Sequence, residues 1–106
     1  MLKKHLRFSF KKGAPKNKLI NPLFVVRYQR SDTPTFGVVV SKIVSKKAVI
    51  RNRTKRMFLV VLQDLLIQQG LHYDLVFFLR RPYTEYSKSV IITELQEIAK
   101  KLKLNP

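Results

Sequence analysis

The sequence predicts an α+β fold: a two-layer α/β sandwich with a small central sheet and a long helix that opens basic. Three observations lead there. Segments 23–29, 35–41 and 72–80 are rich in Val, Phe, Tyr and Leu and read as strands. Segments 46–69 and 84–104 carry helical patterning. The chain has 106 residues, 45% of them hydrophobic, which suits one domain around one modest core. It divides into a basic N-terminal arm over 1–22 and a globular core over 23–104.

In order along the chain, residues 1–22 are basic and interrupted by Gly13, Pro15 and Pro22. Any helix there is short and falls within 2–12, and 14–22 reads as an extended basic loop. The strand over 23–29 is followed by the turn Arg30-Ser31-Asp32-Thr33-Pro34. The strand over 35–41 is expected to return antiparallel to it as a hairpin. Its Val-rich continuity implies that both faces are at least partly covered. After the connector Ile43-Val44-Ser45, the long helix is expected over 46–69, with Gly70 as its C-terminal cap. Its rear half, 57–67, is apolar almost all round and belongs in the core. The strand over 72–80 ends at Arg81-Pro82. The last helix starts between 84 and 87, and Ile91, Leu95, Ile98 and Leu102 follow 4-3-4 spacing, a stripe suited to packing on the sheet. Lys100, Lys101 and Lys103 near its end complement the helix dipole.

Charge is distributed unevenly. Residues 1–56 hold 16 basic side chains and one acid, Asp32, whereas 57–106 hold 6 basic and 5 acidic ones. The net charge of +16 therefore belongs to one half of the chain, and so to one surface. Six of the eleven residues from Lys46 to Arg56 are cationic and none is anionic. Like charges at i,i+4 on a helix repel. A polyanion that offsets this cost is expected, and a nucleic acid fits best.

Other classes are set aside on composition. Without cysteine there are no disulfides, thiolate zinc sites or cysteine nucleophile. The six acids (Asp32, Asp64, Asp74, Glu85, Glu94 and Glu97) are scattered, with no pair at general acid/base or two-metal spacing. No phosphate-cradling glycine loop for a nucleotide occurs, and no small-molecule substrate is expected. His5 and His72 lack companions at ligand spacing, so neither is read as a metal ligand. His72 caps the strand start or meets solvent. The start of the chain is basic but lacks an apolar stretch of the kind found in signal peptides. No run reaches the roughly 18–20 apolar residues of a membrane span, so a cytoplasmic protein is expected.

Gly37-Val38-Val39-Val40-Ser41-Lys42, followed by Arg51-Asn52-Arg53-Thr54-Lys55-Arg56, resembles the protein subunit of bacterial ribonuclease P. That family pairs a G-x-x-V-[SA]-K strand with a helix opening R-N-R-x-K-R, and the order of elements over about 23–104 fits too. The resemblance implies a ribosomal protein S5 domain 2-like sandwich with a left-handed β-α-β crossover, against the usual right-handed rule. It also implies a protein that is not itself the catalyst. In this family a large catalytic RNA cleaves precursor tRNA with Mg²⁺, and the protein supports the RNA fold and grips the 5′ leader. Beyond that Mg²⁺ on the RNA, no cofactor is expected. The partners implied are the catalytic RNA and precursor tRNA, with no membrane.

The RNA-binding residues expected are Lys42, Lys46, Lys47, Arg51, Asn52, Arg53, Lys55 and Arg56. The arginines can chelate phosphates in bidentate fashion. Asn52 bonds a phosphate, ribose or base edge, or fixes a neighbouring arginine. Phe8, Phe10, Phe24 and Tyr28 are the aromatic candidates for stacking on leader bases. Phe8 and Phe10 can instead staple onto the core, and Phe24 and Tyr28 can belong to it. Several positions depart from the family pattern. The N-terminal helix is cut short by Gly13 and Pro15, Ile43 replaces a second Lys, and Thr54 stands where an aliphatic is common. Leu59-Val60 replaces a frequent Arg-Glu or Arg-Gln pair, which implies an extra protein contact or local repacking. The alternative function is a structural binder of ribosomal or other folded RNA without a processing role. A basic membrane-surface protein is disfavoured, because the charge does not lie along an amphipathic surface helix.

Overall fold

The most apolar strand lies inside the sheet. The structure, a computed structural model, describes residues 7–9, 11, 13–20, 23–65, 72–85 and 87–104. In chain order the strands are β1 (Asn17–Ile20), β2 (Phe24–Arg30), β3 (Phe36–Val39) and β4 (Tyr73–Leu79). The helices are α1 (Ala48–Leu65) and α2 (Lys88–Leu104), the latter preceded by a 3-10 turn at Tyr83–Glu85. The sheet order is β1-β2-β4-β3. Every residue of β4 except Phe78 is buried. A strand of that kind needs neighbours on both edges and cover on both faces.

This order corrects two expectations. β2 and β3 do not form a hairpin, because β4 stands between them, antiparallel to β2 and parallel to β3. The connection over 31–35 instead wraps the start of β4. The Ser31 N–H donates to the His72 carbonyl at 2.9 Å, and the Leu75 N–H donates to the Thr35 carbonyl at 3.0 Å. The Asp74 carboxylate fixes the same connection, accepting the Thr35 N–H and hydroxyl at 2.9 Å each and Gln29 Nε2–H at 2.8 Å. The second correction is β1, which lies within the segment read as a loop. Asn17, Lys18, Leu19 and Ile20 pair antiparallel with Tyr28, Arg27, Val26 and Val25. Three of its four residues are exposed, so the strand is held by its ladder and carries little apolar signal.

The short N-terminal helix falls largely on residues outside the described set, and where the arm is described, Arg7 forms a parallel bridge with Phe36. The Phe8 N–H donates to the Phe36 carbonyl at 2.9 Å, so the arm lies along the outer edge of β3. The rear of the predicted long helix and Gly70 also lie outside the described residues. The last helix starts as expected. Ser87 caps it, its Oγ accepting the Val90 N–H at 3.3 Å.

Both helices pack on one face of the sheet. Alternation along the strands puts Phe24, Val26, Phe36, Val38, Leu75, Phe77 and Leu79 on that face, and all are buried in one cluster with Phe58, Val61 and Leu62 of α1. Ile91, Leu95, Ile98 and Leu102 of α2 complete it, so the 4-3-4 stripe is the buried one. Phe24, Phe58 and Phe77 form its centre, with ring centroids 5.1–5.7 Å apart. Each fully buried side chain of this size contributes about 1.5–3 kcal/mol.

Candidate nucleic-acid interface

α1 begins where β3 has turned through the loop over 40–47. Its first half is basic and mostly exposed, and the line facing the core runs from half-buried Arg51 through buried Thr54, Phe58, Val61 and Leu62 at 3-4-3-1 spacing. Thr54 is fully buried, and its hydroxyl donates to the Ile50 carbonyl at 2.8 Å. This explains why an apolar side chain suits the position: the hydroxyl is tolerated only because the preceding turn takes its proton.

Asn52, Arg53, Lys55 and Arg56 are exposed, on the side of the helix away from the core. No acidic side chain stands in the first turn of α1, and none occurs anywhere from residue 33 to 63. The positive end of the helix macrodipole therefore has no carboxylate from its own first turn beside it. Asn52, Lys55 and Arg56 line an open groove of about 680 Å³ together with Arg7, Phe8 and the β3 segment Phe36, Gly37 and Val38. Leu59 and Val60 continue the same wall one turn further on. Leu59 packs on the margin of the core, while Val60 stays 49% exposed.

Lys42, Lys46 and Lys47 are exposed on the loop before α1. The Val44 N–H donates to the Ser41 carbonyl at 3.1 Å, and the Lys47 N–H donates to Ser45 Oγ at 3.2 Å. Arg51 is placed differently from its neighbours. It is half-buried, and its Nη1 donates to the carbonyls of Ser45 and Lys46 at 3.1 and 3.0 Å.

The aromatic candidates do not converge. Phe24 is fully enclosed by the core, which removes its ring from any stacking role. Tyr28 shares that sheet face, is partly buried, and meets Tyr73 edge-on at 5.9 Å. Phe8 lies on the opposite face, where a Cβ built on Gly37 would stand 3.4 Å from Phe8 Cβ and 3.7 Å from Val76. Phe10 lies outside the described residues. Beside Phe8, a second groove of about 590 Å³ is lined by Lys11, Lys16, Gln29, Thr35 and Asp74 among others. Arg27 anchors the arm beside it, its Nη1 donating to the carbonyl of buried Pro15 at 3.4 Å. Among the described residues no three His, Asp or Glu side chains are grouped as a metal site.

A family model described as Ribonuclease P matches residues 1–103. The chain belongs to the ribonuclease P protein family. A ribonuclease P protein component from a Cyanothece species is 34% identical over 67 residues, 63% of this chain and 51% of that one. The corresponding protein of Microcystis aeruginosa is 35% identical over 63 residues, 59% of this chain and 52% of that one. The matches thus span about half the length of these curated relatives. Two solved structures share the fold. The RNase P protein from Thermotoga maritima superposes with a TM-score of 0.70 at 19% identity, covering 90% of this chain and 96% of that one. The Staphylococcus aureus RNase P protein gives 0.60 at 22% identity, covering 79% and 78%.

The family's R-N-R-x-K-R hexamer thus divides by geometry. Asn52, Lys55 and Arg56 share the groove, Arg53 is exposed beside them, Thr54 is core, and Arg51 turns back onto the loop. Sequence reasoning missed Arg7 as a groove residue, since a single arginine in a basic arm carries no positional signal. It also missed the Asp74 junction, which forms only once β4 enters the sheet between β2 and β3.

Proposed function

We propose that this chain is the protein subunit of a ribonuclease P particle, acting in the cytoplasm in 5′-end maturation of tRNA. Its partners are then a catalytic RNA and precursor tRNA. The observation that carries this is the exposed cationic face of α1, whose own first half holds no acid, beside the β3 groove, in a chain of this family. Arg56, Lys55 and Arg53 suit closely spaced phosphates of a folded RNA, with the lysines of the preceding loop extending the same surface. The second groove, with Phe8 at its wall and Lys11 and Lys16 at its rim, suits the single-stranded 5′ leader, one base stacking while cations follow the backbone.

In this reading the protein binds and the RNA performs the hydrolysis. Support comes from the carboxylates themselves. Asp74 is committed to Thr35 and Gln29, Asp32, Asp64 and Glu85 lie on three different segments, and Glu94 and Glu97 share α2. The Mg²⁺ ions that activate water and stabilise the leaving oxygen belong, on this proposal, to the RNA subunit.

The test is the affinity of the reconstituted particle for precursor tRNA as the 5′ leader is lengthened one nucleotide at a time. Affinity should rise with leader length only when the protein is present. Identical length dependence with and without protein would contradict leader binding. Failure of the protein to bind the catalytic RNA would remove the function altogether.

A further inference from the structure

Arg51 opens the family's hexamer, and as a phosphate contact it would be one cation among several. Its surroundings differ from theirs. It begins the core-facing line of α1, three residues before buried Thr54 and seven before buried Phe58. Its stem is therefore drawn towards the protein, and it is half-buried whereas Asn52, Arg53, Lys55 and Arg56 are exposed. Both Nη1 protons are used, one on the Ser45 carbonyl at 3.1 Å and one on the Lys46 carbonyl at 3.0 Å. The loop it grips carries Lys46 and Lys47 and is otherwise held there by the Lys47 N–H on Ser45 Oγ at 3.2 Å and by the Arg51 backbone N–H on the Lys47 carbonyl at 3.1 Å.

We infer that Arg51 is a positioning residue: its guanidinium braces the 45–47 loop against the first turn of α1, so that Lys46 and Lys47 are presented in register with Lys55 and Arg56. A lysine is a poorer brace: its ammonium has protons enough for two carbonyls, but on a shorter, freely rotating stem it lacks the reach and the fixed in-plane direction of the Nη1–H bonds. Among the described residues the bonds of the Arg51 side chain are those on Nη1, which leaves Nε and Nη2 oriented for an anion. A loop fixed before binding spares the ordering cost that loose lysines would incur on binding. This deepens the proposed function, because it assigns separate tasks within one RNA-binding motif.

The experiment uses the full chain with R51K and R51A, and K55A as a comparison, after thermal melts establish that each folds. Amide exchange of Lys47 and Arg51 is followed by NMR without RNA, and affinity for the catalytic RNA is measured from 50 to 300 mM salt. R51K should speed exchange of the loop amides and lower affinity about tenfold, the scale of losing hydrogen bonds from a charged group. Its salt slope should equal that of wild type, since no charge is lost. K55A should leave loop exchange unchanged and make the salt slope shallower by about one unit. R51K with wild-type exchange and affinity would overturn the brace. So would R51A that lowers affinity and salt slope while leaving loop exchange intact, because that is direct phosphate contact. If wild type does not bind the catalytic RNA, the proposed function fails, and the exchange measurement still decides whether Arg51 holds the loop.

Discussion

Phe24 separates core packing from base stacking most sharply. It is fully buried, and its ring meets Phe77 at 5.3 Å and Phe58 at 5.7 Å, both edge-to-face. Phe24→Ala removes a large core side chain, which costs about 3–5 kcal/mol including the residual cavity. Part of that is the two aromatic contacts, each worth about 0.5–1.5 kcal/mol beyond burial. For a domain of this size the melting temperature should fall by about 15–30 °C. Phe24→Leu keeps much of the volume and should cost about 1–2 kcal/mol. The assay pairs thermal melts by circular dichroism with leader-dependent precursor affinity, measured well below the melting temperature. Phe24→Leu should bind as wild type does. A variant that keeps its stability but loses leader-dependent affinity tenfold would refute the core assignment.

Other outcomes follow from the same geometry. Thr54→Val replaces a buried hydroxyl satisfied by its own helix, so stability in urea should change by less than about 1 kcal/mol, whereas Thr54→Arg should unfold the protein. Asp74→Asn puts a donor where three donors converge, and chemical denaturation should register a loss of about 1–3 kcal/mol. Binding to the catalytic RNA should weaken with salt at a log–log slope of roughly −4 to −5 if about six phosphates are engaged. Arg56→Ala should make that slope shallower by about one unit, and an unchanged slope would take Arg56 out of the interface.

Much of this architecture is written locally in the chain. The 4-3-4 stripe of α2 and the basic-to-apolar transition of α1 are visible because helical periodicity acts over a few residues. Pairing of strands is not local. The short turn at 30–34 suggests a hairpin, yet β4, forty residues later, is apolar enough to take the central place, and the turn becomes the wrap around its start. β1 escapes notice for the opposite reason: it is a polar edge strand whose contribution is backbone hydrogen bonds. Within the site, the hexamer marks the helix, but which of its residues face outward depends on the core stripe. That stripe puts Thr54 inside and turns Arg51 onto the loop. Phe24 and Tyr28 alternate with β2 and so share a face, but only the placement of the helices determines that this face is the core.

The central claim is that this chain serves an RNA catalyst through the exposed face of α1. Its most direct test is cleavage of a 5′-extended precursor tRNA by the cognate catalytic RNA at limiting Mg²⁺, with and without the protein. Arg53/Lys55/Arg56→Ala runs alongside, these three exposed side chains being removable without disturbing the core. Stimulation by wild type and its loss in the triple variant is the predicted result. Binding of wild type without any change in cleavage would contradict the processing role and leave a structural RNA binder in its place.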